Sequence, residues 1–234
     1  MKSQQNIGLI VPLNLVEDGQ TVGENTYRRL RADILFARLR PGQKLKLDAL
    51  KKAYGTSVST LREILARLAA EGFVLAEGQR GFEVMPVSAD GLRQVAELRL
   101  LLECHAIEQS FAAGDMEWEG AVVSAHHKLA HMEKRIMAAD QSATELWKRH
   151  DGEFHRALIS ACGSALLMKA HATVYDQYLR YQMIALVYRG QLACNEHKGL
   201  LDCALRRDAP GARKILAIHI NECVEYALKL GTLR

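Results

Sequence analysis

The stretch Gly55–Gly81, GTSVSTLREILARLAAEGFVLAEGQRG, leaves little freedom for what surrounds it. Ser57 and Ser59 offer hydroxyls to the free N–H groups of a helix start, and Glu63 lies near the positive end of the helix dipole. Leu61, Ile64, Leu65 and Leu68 recur at helical spacing and make one face apolar, while Arg62 and Arg67 carry cations. Gly72 tolerates positive φ and ends the helix. Phe73–Leu75 then runs into the polar turn EGQRG, and Phe82–Val84 leaves it, which predicts a two-stranded hairpin with Arg80 at its tip.

The upstream chain fits that element. A first helix is expected over Thr21–Arg38, burying Tyr27, Leu30, Ile34 and Leu35, before Arg40-Pro41-Gly42 breaks it. A second runs from Leu47 to Tyr54, with Lys51 and Lys52 outward, and Gly55-Thr56 is the tight turn into the third. Three short helices and a basic-tipped hairpin describe a winged helix-turn-helix domain over residues 21–85, preceded by an arm at 1–20. Residues 22–84 hold twelve Lys/Arg against seven Asp/Glu, whereas residues 85–234 hold eighteen of each. A basic first third on a neutral remainder suits a polyanion-binding module joined to a sensing or assembly module.

After Pro86 and Ser88 the pattern contains no strand. Helices are expected over about 88–113, 114–139, 142–163, 166–189, 193–206 and 208–230. Ser142 with Glu145 reads as a capping box, and Pro210 stands near a first turn. The fold class is therefore mainly α: a winged helix-turn-helix followed by an antiparallel all-α bundle over 88–234. The five cysteines are scattered and never spaced C-x-x-C, which points to reduced thiols and a cytoplasmic protein. No apolar run is long enough for a membrane span, and no membrane partner is expected.

Nine histidines are present, and their spacing is informative. Asp151 and His155 are four residues apart, so both lie on one helical face. Antiparallel packing of the later helices can bring His197 and His219 to the same interior point. One carboxylate with three imidazoles would suit one divalent metal per chain, zinc foremost, with nickel or manganese as alternatives. A competing set, His127 and His131 beside His126, lies among Lys128, Glu133 and Lys134 and reads as a solvated face. His105 and His171 have no partner by spacing. Arg99 and Glu103 are either an intrahelical ion pair or an arginine facing the bundle cavity, ready to hold a carboxylate; Arg180 is a weaker candidate for that role.

The sequence resembles the GntR superfamily of transcription regulators, in its FadR-like branch with an FCD effector domain. The residues that carry this are Leu39-Arg40-Pro41-Gly42, Leu61-Arg62-Glu63, Glu71-Gly72-Phe73 and Arg80-Gly81-Phe82, followed by Arg99…Glu103, Asp151…Phe154-His155, Glu196-His197 and Asp208…His219. The resemblance implies a homodimer on an inverted-repeat operator of double-stranded DNA, with the third helix in the major groove and the wing along the minor groove. It also implies a small carboxylate or sugar-acid effector near the metal, for which Arg99, Glu103 and Arg180 are candidates. The candidate DNA-binding residues are Arg28, Lys46, Lys51, Lys52, Ser57, Ser59, Thr60, Arg62, Arg67, Arg80 and Gly81. Among them Arg62 suits a guanine edge or a phosphate, and the lysines suit phosphates. Val58 and Asp48 stand where the family often has basic residues, so base discrimination shifts to Ser59, Thr60, Arg62 and the wing.

A second reading, from another class, is a metal-dependent hydrolase on an all-α His/Asp bundle; it leaves the winged pattern unexplained. A third is a helical scaffold that only dimerises.

Overall fold

The structure is a computed structural model that describes residues 21–234, except 77, 79, 80, 186, 232 and 234. The expected arm at 1–20 and the wing-tip residue Arg80 lie outside the described residues.

Thr21 caps the first helix, α1 (Val22–Leu35), its hydroxyl accepting from the Glu24 N–H at 3.2 Å. The helix ends three residues before the expected Arg38 because Ala37 takes a φ of +56°. Strand β1 (Lys44–Leu45) follows, then α2 (Leu47–Tyr54) and α3 (Val58–Ala70). Ser57 caps α3 by accepting from the Thr60 N–H at 3.1 Å, and Gly55 (φ +66°) makes the turn between the two helices. Strands β2 (Val74–Ala76) and β3 (Phe82–Val84) form the expected hairpin, but the sheet has three strands in the order β1-β3-β2. At two residues, β1 is too short to show any periodicity. Leu30, Ile34, Leu61, Leu65, Leu68, Phe73 and Val84 fill one sealed core. Each contributes about 1.5–3 kcal/mol by leaving water.

Ser88 caps α4 (Ala89–Ala113), and Asp115 caps α5 (Met116–Met137). A 3-10 turn at Gln141–Ala143 precedes α6 (Thr144–Leu158). The expected capping box is absent there: Asp140 accepts from the Ser142 N–H, and Glu145 is taken by Arg38. Next come α7 (Ala165–Ala185), α8 (Gln191–Leu205) and α9 (Ala209–Lys229), the last capped by Asp208 with Pro210 in its first turn. Helix α7 stops four residues short of the expected Arg189, which frees that side chain for the interior. Helix α4 packs on α7 and α9, α5 on α6 and α8, and α8 on α9. No described residue after 88 is in a strand, and no described helix is long and apolar enough to cross a membrane. All five cysteines are free thiols.

The two parts meet along α7. Arg31 of α1 pairs with Asp176 at 2.6 Å and with Glu71 at 2.9 Å. The Gln177 amide donates to the Glu71 carbonyl oxygen at 2.9 Å. That close approach needs Gly72, whose φ is +80° and where a Cβ would fall 2.8 Å from the Gln177 amide nitrogen. Phe36 packs onto Tyr175, Leu179 and Met183, and Arg38 grips both oxygens of Glu145 at 2.5 and 2.6 Å.

Candidate functional site

Asp151 and His155 project inward from α6, one turn apart, and meet His197 of α8 and His219 of α9. Ligand-type atoms of all four lie within 4.8 Å of one another, and all four side chains are buried. Every imidazole is held the same way. His155 Nδ1 is 2.9 Å from Glu103 Oε2, His197 Nδ1 is 2.6 Å from Glu133 Oε1, and His219 Nδ1 is 2.7 Å from Glu196 Oε2. A carboxylate on Nδ1 fixes that nitrogen as the donor and leaves Nε2 as the lone-pair face, the arrangement typical of metal-bound histidine. His155 and His197 Nε2 are both buried without a hydrogen-bond partner. Asp151 Oδ2 accepts from the Tyr175 hydroxyl at 2.8 Å, while Oδ1 lies 3.3 Å from His197 Nε2. Each of the six helices thus gives the centre a residue.

The electrostatics follow from this crowding. Burial works against charge on His197, but the carboxylates of Asp151 and Glu133 beside it outweigh this and raise its pKa to about 9. Burial dominates at His219 and lowers its pKa to about 3. It also lowers His155, assisted by the Arg99 charge. Glu103 and Asp151 would be pushed up by burial, yet Arg99 and His155 hold the first well below the usual carboxylate range, and Lys148 and His197 the second.

Two buried imidazole nitrogens without hydrogen-bond partners, the Asp151 oxygen that faces them and a third imidazole with its Nδ1 engaged fit a divalent metal. Three nitrogens and one oxygen suit zinc, nickel or manganese and leave positions for an outside ligand. Beside them is a chamber of about 10 Å³ bordered by Lys148, Gln182, Arg189 and Cys223. That is room for about one water molecule.

Glu103 is not open to a ligand: Arg99 (2.7 Å), His155 and His171 (both 2.9 Å) occupy it, so its place is behind the metal ligand. Arg99 itself is fully buried between the rings of Tyr175 and Tyr178, at 4.7 and 4.6 Å, with both terminal nitrogens unpartnered. Arg180 is elsewhere. Its guanidinium donates to the Met85 carbonyl at the junction of the two parts. His127 and His131 are exposed, as the solvated reading expects. Glu133, grouped with that face by sequence, is instead 3 % exposed and bound to His197. His171, Arg189, Glu196 and Tyr175 also had no assigned role; pairing across helices places them, and spacing along one helix carries no trace of it.

On the other domain, Ser57, Ser59, Lys46, Lys51, Lys52 and Arg62 are exposed on α2 and α3, with Thr60 and Gly81 half-buried. The Ser57 hydroxyl also contacts Ser59 Oγ at 2.7 Å and Thr60 Oγ1 at 2.9 Å, tying the start of α3 into one polar cluster. Arg67 stacks 3.5 Å over Tyr27 and pairs with Glu24 and Glu71, while about half of its side chain stays exposed. Arg28 lies 3.6 Å from Glu24 and borders the cleft toward the helical domain.

A three-helix reader with a hairpin wing, carried on an all-α bundle with a buried ligand centre, defines a class: a DNA-binding transcription regulator. Residues 23–84 match the family described as bacterial regulatory proteins, gntR family, and residues 94–222 match the FCD domain. The chain belongs to the GntR family of bacterial transcription regulators, with an FCD effector-binding domain. It is 38% identical to the HTH-type transcriptional regulator BphR of Paraburkholderia xenovorans, over 90% of this chain and 87% of that one. It is 28% identical to the HTH-type transcriptional repressor GlaR of Escherichia coli, over 83% and 90%. In fold it is similar to McbR/YncC of E. coli, with a TM-score of 0.75, 16% identity and coverage of 90% of this chain and 98% of that one. BphR and GlaR are regulators, and the hydrolase reading has no counterpart in them.

Proposed function

We propose that this regulator binds an inverted-repeat operator as a homodimer and responds to a small organic acid held near one divalent metal, zinc foremost, in the helical domain. The observation that carries the reading is the repeated Glu–His pairing, which presents three Nε2 atoms and Asp151 to one point. Such carboxylate-backed imidazoles are hard to account for as packing alone, because they bury Glu103 and Glu133 together with Asp151 in one core. Asp151, His155, His197 and His219 would hold the ion, whose positive charge would attract a carboxylate. Arg99, with two unpaired donors, is a further anchor for an anion.

On the DNA, Ser59, Thr60 and Arg62 at the start of α3 would meet bases or phosphates, and Lys46, Lys51 and Lys52 phosphates. The wing, with Gly81 and Arg80, would follow the minor groove. The test is a pair of measurements on the purified protein. Elemental analysis should find about one zinc, nickel or manganese per chain, lost in a His155→Ala/His219→Ala variant. A gel shift with the chain's own upstream intergenic DNA should show preference over random duplex. Full metal retention in the variant, or no preference for the operator, would overturn the corresponding half of the proposal.

A further inference from the structure

The two domains are joined by Met85, Pro86, Val87 and Ser88, and each end of that link belongs to one of them. The Met85 N–H donates to the Phe73 carbonyl oxygen at 2.9 Å, so Met85 travels with the DNA-binding domain. Ser88 caps α4 by accepting from the Gly91 N–H at 3.0 Å, so it travels with the bundle. Two consecutive residues of α7 face these ends. Tyr181 lies with its hydroxyl against the Ser88 backbone, in space that a Cβ on Gly91 would fill. Arg180 reaches across the link and donates to the Met85 carbonyl oxygen. A pivot within residues 85–88 would therefore keep the Tyr181 contact and break the Arg180 contact.

Arg180 is 4% exposed, its Nε is buried without a hydrogen-bond partner, and no carboxylate pairs with it among the described residues. Burial with no acid beside it lowers its pKa to about 10. Arg99, equally sealed, has Glu103 at 2.7 Å and two tyrosine rings around it. A cation taken out of water against one neutral carbonyl is destabilising on balance, because the bond does not replace the lost hydration. The ion pairs across the junction, Arg31 with Asp176 and Arg38 with Glu145, are a fifth to a third exposed, where such pairs hold weakly. Phe36, packed on Tyr175, Leu179 and Met183, is the main force that opposes opening.

We infer that Arg180 is a release element built into the junction: docking buries its guanidinium uncompensated, and swinging the DNA-binding domain off α7 about residues 85–88 returns that cation to water. Its role is thus the reverse of the clamp that a hydrogen bond across a hinge suggests. With Phe36 holding and Arg180 opposing, the junction has two states close in free energy. A contact made to either one, by DNA or by a ligand, then shifts their populations.

The test is native-state proteolysis of the full-length protein with a broad-specificity protease, the cuts at residues 85–88 being located by mass spectrometry. Protease is kept at levels where cutting follows the open population. Rates are taken relative to cutting within α8, which reports unfolding of the bundle. Arg180→Met keeps the length of the side chain and removes its charge, and it should be cut at the link at least threefold more slowly than the parent. Arg180→Gln, neutral but still a donor for the Met85 carbonyl, should be slowed likewise and decides alone if the methionine variant does not fold. Arg180→Lys keeps a charge that is more strongly hydrated than a guanidinium, and it should be cut at the parent's rate or faster. Slowing of less than threefold in the neutral variants, or slower cutting of Arg180→Lys than of the parent, overturns the inference.

Discussion

Tyr175 and Asp151 are joined by a 2.8 Å hydrogen bond, and the residue after Tyr175, Asp176, holds Arg31 of α1 at 2.6 Å. One turn of α7 therefore touches both a candidate metal ligand and the DNA-binding domain. Tyr175→Phe keeps the ring over Arg99 but leaves Asp151 Oδ2 without its donor. Zinc affinity, measured by competition with a chelating dye, is expected to fall about tenfold, within the 10–100-fold range for residues that orient ligands. Unchanged affinity would mean that the hydroxyl does not position the carboxylate.

The glutamates behind the imidazoles make a sharper case. Glu133→Gln and Glu196→Gln preserve shape and remove charge, and each is expected to lower zinc affinity by about 10–100-fold. His127→Ala and His131→Ala, on the exposed side of α5, should leave it unchanged. Equal effects from both sets would dissolve the distinction.

Gly152 sits in α6 beside Asp151, where a Cβ would fall 2.9 Å from a ring carbon of Tyr175. Alanine would gain about 1 kcal/mol of helix propensity. The forced shift of a buried ring costs about 1–3 kcal/mol. The clash should win, and thermal melting of Gly152→Ala is expected below that of the parent; a higher Tm would show that α7 yields freely.

At the junction, Arg31 and Asp176 are about one-fifth to one-quarter exposed, so their ion pair is worth only about 0–1 kcal/mol. Arg31→Ala with Gln177→Ala should barely change global stability. It should instead speed proteolytic cutting near Met85–Ser88, because the DNA-binding domain loses its hold on α7. Unaltered cleavage would place the hold on Phe36 and Arg38.

For DNA, the residues on α2 and α3 should separate by their salt response. Lys51→Ala should weaken binding across sequences and reduce the salt slope by about 1. Arg62→Ala should cost about 1–3 kcal/mol and relax preference at one base step. The same salt slope for parent and Lys51→Ala would remove that lysine from the phosphate contacts.

Much of this molecule was legible before any coordinates. The reader was written in Ser57, the Leu61–Leu68 stripe and Gly72, because local capping and periodicity act within a few residues. Asp151 and His155 showed themselves by being four apart. Glu133 did not, since three charged or polar neighbours made its surroundings look solvated, and only the packing of α8 against α5 turns it inward. Arg67 hid its partners as well: Tyr27 and Glu24, far away in sequence, lie beside it, and periodicity along α3 carries no sign of them. Arg189 was hidden by the end of α7, and boundaries of that kind depend on what the chain must reach next.

The convergence of six helices on one point has a thermodynamic corollary. Asp151 and His219 stand far apart in the bundle's sequence, and an ion held by both would close a large loop as a covalent cross-link does, restricting the unfolded chain. The centre is then a gauge of the whole bundle. A cavity made in any helix, remote from the ligands, would register as easier loss of metal, and a chelator would act on this domain as a mild denaturant.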